Sequence, residues 1–272
     1  MTVSDLSAAL EALPRTDRMP ALFVGHGSPM NAVEKNIYTD AWRTLGQALP
    51  KPRAILALSA HWLTEGTFVH VAERPRTIHD FWGFPEELSR ITYACPGSPD
   101  AAHATRAVVR SAAVAEDREW GLDHGTWVPL LAMVPDATIP VYQLSLDVAR
   151  SSEGFYALGA ELAALRERGV LILGSGNLVH NLGRINWASD AKAYDWAEEF
   201  DQQARALIQN RDFTPLIAHE KLGRAAELAI PTPDHYWPLL SILGASTAND
   251  AVSFPVEGIA LGSISMSAVL FR

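Results

Sequence analysis

Nine histidines occur in these 272 residues, and five close or follow a short apolar run beside a small or turn-forming residue. They are His26 in ALFVGHGSPM, His61 in ILALSAHW, His124 in GLDHGTW, His180 in VLILGSGNLVHN and His235 in IPTPDHYWPLL. A neutral imidazole is a good ligand for divalent transition metals, so several that converge form a metal site. Convergence needs a scaffold. Apolar strands ending in His beside Gly, Ser or Asn point to a buried parallel sheet with imidazoles gathered at its C-terminal edge. Ligand sites in open α/β sheets lie along that edge.

The elements that must position these residues alternate along the chain. Strands are expected over 21–25, 53–60, 67–71 (antiparallel), 139–146, 170–174 and 264–271. Helices are expected over 5–12, 35–48, 99–113, 151–167, 190–209 and 234–243. Ile37, Ala41, Leu45 and Ala48 share one helical face. Pro99 suits an early helical position, and Ser151 or Ser152 a cap. Alternating strands and helices predict a single α/β domain with a mostly parallel, mixed sheet. Helices cover both faces, and the metal cleft lies at the C-terminal ends of the strands.

Composition narrows the class. The chain is 48% hydrophobic and 19% charged, enough apolar residue for one large core. Its net charge of -9 argues against nucleic-acid partners, which need clustered Lys and Arg. One cysteine, Cys95, permits no internal disulfide. The N-terminus lacks a basic segment followed by an apolar run, and no stretch reaches about 18 apolar residues. The expectation is a cytoplasmic protein that does not enter membranes, either monomer or homodimer.

Each histidine also has a purely structural reading. In GHGSP the two glycines around His26 can simply make a tight turn, although glycine also lets a ligand approach the main chain. His61 and Trp62 can be core residues, or Trp62 can wall an aromatic ligand. Asp123 and Gly125 favour a turn around His124, while Asp123 can equally orient a ring. Asp234 can cap a helix that His235 begins. In TIHDFWGFP, His79 and Asp80 precede Phe81, Trp82 and Phe84, a substrate wall or an aromatic core patch. His70, His103 and His219 read as structural. No GxSxG elbow and no phosphate loop is present.

Together, GHGSPM, SAHW, TIHDFWGFP, GLDHGTW, SGNLVHNL and PTPDHYWPLL resemble the 4,5-DOPA extradiol dioxygenases of the class III extradiol ring-cleavage superfamily. The resemblance runs from about Met19 to the C-terminus with the motifs in family order. It implies an N-terminal leader over 1–18 and one catalytic domain over 19–272. It further implies one divalent metal ion per chain, held by His26, His61 and His235. His180 corresponds to a position that is either a further metal ligand or a catalytic base, and His124 to a second catalytic histidine. His79, Asp80 and Trp62 are expected against the substrate. The implied reaction opens the ring of a catechol such as DOPA with O2 and gives a muconic semialdehyde. Two histidines and a carboxylate suit Fe(II), the metal expected for activity. A three- or four-His set also suits Zn(II), expected in purified protein.

Two other functions use the same residues. A zinc hydrolase would pair the cluster with Asp80 or Asp123 as acid and base. A non-catalytic binding protein would resemble the Memo-type proteins of this fold.

Overall fold

A computed structural model describes residues 3–188 and 191–272. Six strands form its central sheet: β1 (Ala21–Gly25), β2 (Ala54–Ser59), β3 (Val141–Gln143), β4 (Val170–Gly176), β5 (Val252–Val256) and β6 (Ala268–Phe271). They lie in the order β3-β2-β4-β1-β6-β5. The first four are mutually parallel, and β6 and β5 add antiparallel strands at one side. The register places Gly25 opposite Gly176, and Ser59 opposite Ser175. The segments carrying His26, His61 and His180 therefore leave the sheet from one edge.

The strand sequences explain the layers. ALFVG, AILALS and VLILGSG are buried at every position, as strands covered on both faces must be. Alternate residues feed two cores. Leu22, Val24, Ile55 and Leu173 pack with α2 (Ile37–Ala48) and α4 (His124–Met133), through Trp42, Leu45, Trp127 and Met133. Phe23, Leu56, Leu58 and Ile172 face the other layer. There α3 (Pro99–Val108), α5 (Ser152–Arg166), α6 (Asp195–Gln209) and α7 (Trp237–Ala245) contribute Ala102, Leu162, Phe200 and Leu243. A first helix, α1 (Val3–Ala12), packs on α3. Among the described residues, no helix is long and apolar enough to cross a membrane.

Several local expectations are corrected. The segment Thr67–His70 pairs parallel, not antiparallel, and does so with an unanticipated strand, Val114–Asp117, outside the main sheet. That strand follows because α3 stops at Val108, where the β-branched Val109 takes an extended conformation and ends the helix. The expected strand 139–146 divides: Val141–Gln143 joins the sheet and Leu146–Asp147 pairs with Leu63–Thr64. The strand 264–271 divides likewise around Met266 and Ser267. β5 was hidden by Pro255, which an edge strand tolerates. Helix α6 begins at Asp195; the expected start at 190 lies outside the described residues. Helix α7 begins at Trp237, with Pro238 at a tolerated early position and His235 in the turn before it.

One buried ion pair ties the far end of this scaffold together. Arg166, at the end of α5, is fully buried. It donates to Asp250 through Nη1 at 2.6 Å and Nη2 at 3.0 Å. It also donates to the carbonyls of Met19 at 2.6 Å and Ala245 at 2.8 Å. The start of β1, the end of α7 and the β5 side of the sheet thus share one guanidinium. Replacing Asp250 with Ala leaves that charge buried without its carboxylate, and a loss of about 3–5 kcal/mol is expected. Urea denaturation of the variant checks this; a loss below about 1 kcal/mol would show that the pair is not a structural tie.

Candidate metal centre

His26 follows β1 directly, and its N–H donates to Gly176 O at 3.1 Å. His61 lies two residues past β2. His235 is held from β4, since Asn177 N–H donates to its carbonyl at 2.9 Å. One nitrogen from each of these three rings lies within 4.8 Å of the others. His26 Nε2 and His61 Nε2 are 3.1 Å apart. His26 and His235 are buried, and His61 is half-buried.

The other nitrogen of each ring is occupied. The Ser175 hydroxyl donates to Gly125 O, so its oxygen accepts from His26 Nδ1–H at 3.0 Å. His61 Nδ1 lies 3.2 Å from Asp80 Oδ2. His235 Nδ1–H donates to Asp234 Oδ2. These acceptors fix the proton on Nδ1 and leave the Nε2 lone pairs pointing at a common volume. Two facing lone pairs at 3.1 Å repel unless a cation lies between them. Nitrogens about 2.1 Å from one metal, about 90–109° apart, stand about 3.0–3.4 Å from each other. The three rings therefore fit a divalent metal.

His180 and His124 complete the cluster without joining that trio. His180 stacks flat on His235, with centroids 3.5 Å apart and planes within 6°. His124 opens α4 and lies 4.0 Å from His61 between ring centroids. Its Nδ1 stands 3.0 Å from the same Asp80 oxygen that meets His61, and its backbone N–H donates to Asp80 Oδ1 at 2.9 Å. Asp123 caps α4, accepting from Thr126 N–H at 3.2 Å, from Ser59 Oγ at 2.6 Å and from Gln143 Nε2 at 2.8 Å. The carboxylate that orients His124 is thus Asp80, not its sequence neighbour. Gly125 lets α4 approach: a Cβ there would lie 2.6 Å from Ser59 Oγ and 2.9 Å from His61 Cδ2.

All five histidines line one cavity of about 190 Å³. That is below the roughly 300–1,000 Å³ of drug-sized pockets and suits one substituted ring. A larger cavity, about 380 Å³, lies near Leu22, Ile55 and Leu171 at the opposite ends of the strands, and no histidine lines it. Three expected substrate contacts lie outside the histidine cavity's lining. Trp62 is buried and stacks on Trp120 at 5.7 Å. His79 Nε2–H donates to Ile91 O at 2.9 Å and lines a neighbouring depression. Asp80 sits behind His61 and His124. The residues that do wall the cavity include Phe81, Phe84, Leu182, Ile185 and Trp187. Phe81 and Phe84 were legible as an aromatic cluster. Leu182, Ile185 and Trp187 carried no signal, and neither did Ser175.

The electrostatics follow from burial and crowding. His26 and His61 are held well below the ordinary imidazole pKa, mainly by burial and then by neighbouring histidines. His180 is pushed down to about 3, by burial and then by His235. Burial acts to raise Asp80, but its contacts with His124 and His61 more than offset this and bring it to about 2. Asp123 is raised, by burial and then by the charge of Asp80. At neutral pH the three depressed imidazoles are therefore neutral, as metal ligation requires. Below pH 6.5 the unfolded chain binds protons that these folded rings exclude, so stability falls on acidification. For protein stripped of metal, the expected loss between pH 6.5 and 5 is up to about 1.4 kcal/mol per pH unit for each ring. Denaturant midpoints measured across this range check it, and a flat profile contradicts neutral buried imidazoles.

Comparison with known proteins agrees with this geometry. Residues 20–269 match the family model described as the catalytic LigB subunit of aromatic ring-opening dioxygenase. The chain is 44% identical to a 4,5-DOPA dioxygenase extradiol of Escherichia coli (strain K12), over 93% of this chain and 94% of that one. It is 37% identical to the 4,5-DOPA dioxygenase extradiol of Beta vulgaris, over 84% and 87% of the two chains. A crystal structure of an uncharacterized Escherichia coli K12 protein superposes with a TM-score of 0.82 at 41% identity, covering 94% of this chain and 100% of that one. The chain belongs to the LigB family of aromatic ring-opening dioxygenases and is an extradiol ring-cleavage enzyme.

Proposed function

We propose that the protein opens the ring of a catechol with O2, using one Fe(II) held by His26, His61 and His235, to give a muconic semialdehyde. The observation that carries this reading is the set of three converging imidazoles, each with Nδ1 tied to an acceptor, on the floor of a ring-sized apolar cavity. When bound there, Fe(II) supplies the one-electron chemistry toward O2 that an organic ring lacks. The remaining work falls to the chain. The aromatic walls hold the ring and keep bulk water out. His180 lines the cavity and stacks on His235, a place beside the metal site from which its imidazole can accept a proton from a catechol hydroxyl. His124, steadied by Asp80, is positioned to return a proton to an oxygen leaving the ring. Asp80 holds two rings at once, so it is a positioning residue for both ligand and acid. The relatives named for 4,5-DOPA place that catechol in the panel to be tested.

Anaerobic loading with Fe(II), followed by O2 uptake and absorbance scans with a catechol panel, tests the reaction. The iron protein is expected to consume O2 and form a yellow semialdehyde product. Zinc-loaded protein is expected to bind catechols without consuming O2, because Zn(II) has no accessible redox change. Equal uptake by iron-free zinc protein would defeat the reading.

The assigned roles separate in two variants. His61→Ala should lose metal on dialysis while remaining folded. His124→Phe should keep its metal and lose turnover by about 10²–10⁴-fold, the usual range for a general acid or base. Metal analysis beside steady-state rates decides the point. Loss of metal in His124→Phe would make His124 a ligand, and retention of metal in His61→Ala would remove His61 from the set.

A further inference from the structure

We propose that the cavity selects catechols whose ring substituent is apolar and uncharged, and that Leu182 and Trp187 are the residues that select it. This rests on the ring-cleavage reading above and narrows its substrate class away from the amino-acid arm of DOPA.

The first observation is the chemistry of the walls. Apart from the five imidazoles, Ser28 is the single polar side chain lining the cavity among the described residues. Among the described residues no Lys, Arg, Asp or Glu lines it, and none of the residues outside the description is Lys or Arg. The arm of DOPA carries a carboxylate and an ammonium, and each needs a partner once it leaves water. The three converging imidazoles are committed elsewhere: His26, His61 and His235 turn Nδ1 to Ser175, Asp80 and Asp234 and their other nitrogen toward the shared metal site, so they offer the arm no free donor.

The second observation is the rim. Leu182 is 62% exposed and Trp187 71% exposed, yet both line the cavity. Trp82, 86% exposed, sits between the lining residues Phe81 and Phe84. Large apolar side chains left in water around the mouth of a pocket mark a binding surface. An alkyl or aryl arm leaving the ring would cover Leu182 and Trp187 and take them out of water, whereas a zwitterionic arm would stay solvated and cover little. Arg184 shares the turn with Leu182, and its exposed side chain lies outside the cavity lining.

The experiment compares catechol, the 4-methyl to 4-butyl catechols and L-DOPA. It measures kcat/KM on the iron-loaded protein and calorimetric affinity on the zinc-loaded protein. Both should rise about fourfold per added methylene, the increment for burying one CH2 group. L-DOPA should fall at least tenfold below 4-propylcatechol, whose arm has the same length. Leu182→Ala and Trp187→Ala should lower the butyl-to-unsubstituted ratio at least fivefold, chiefly through KM. A flat alkyl series, absence of binding included, overturns the proposal. So does L-DOPA matching 4-propylcatechol, or an Arg184→Ala variant that weakens L-DOPA alone. If the affinity series rises while no catechol supports O2 uptake, the selectivity stands and the ring-cleavage reading fails. If uptake is robust but the series is flat, the reverse holds.

Discussion

A buried imidazole offers one nitrogen to a metal only if something else takes the proton on the other. That constraint organises the cleft. His26 relies on the Ser175 hydroxyl, which is turned by its own bond to Gly125 O. His61 relies on Asp80, and His235 on Asp234. The three acceptors come from the end of β4, from a loop before α3 and from the turn before α7. Ser175 and Ser59 face each other across β4 and β2, so the strand register sets the distance between the His26 and His61 systems. A slip of one residue would turn Ser175 to the opposite face and leave His26 without its partner.

Two aspartates near the cluster show how placement divides labour. Asp80 touches two imidazoles and is ionised over the whole physiological range. Asp123 is fully buried, is raised by burial and by the charge of Asp80, and spends its oxygens on Ser59, Gln143 and the first turn of α4. One carboxylate tunes the rings and the other builds the helix that carries His124. Neither lines the cavity, whose wall beyond the five imidazoles and Ser28 is aromatic and aliphatic among the described residues. In so apolar a setting each remaining polar contact is strong, and each unpartnered charge on a ligand is costly.

The antiparallel side of the sheet has a part in the site as well. The bridge between His180 and Ile264, and the bond from Ser265 N–H to Val179 O, fasten the His180 loop to the chain entering β6. Leu261 and Ile264 from that stretch wall the cavity together with Phe81 and Phe84. Gly27, at φ 62, lets the loop after His26 turn beneath Met266, where a Cβ would lie 2.5 Å from the Met266 sulfur.

The sequence by itself determined the parallel core and its edge. ALFVG, AILALS and VLILGSG are apolar but for Ser59 and Ser175 near their ends, as strands covered on both faces require, and a histidine or a histidine-bearing loop follows each. The motifs also carried the family resemblance, and the match over residues 20–269 agrees with it. Local pattern failed where pairing is non-local. The partner of Thr67–His70, the division of 139–146 and the Pro-containing β5 depend on which edge is free, and no short window encodes that. The tertiary structure alone decided that Asp80 rather than Asp123 meets His124, that Trp62 packs on Trp120, and that Leu182 and Trp187 stand at the mouth. These are contacts across gaps of many residues, fixed by how the loops fold back over the sheet edge. Residue type announces that a histidine can bind a metal, but only packing decides what holds its other nitrogen.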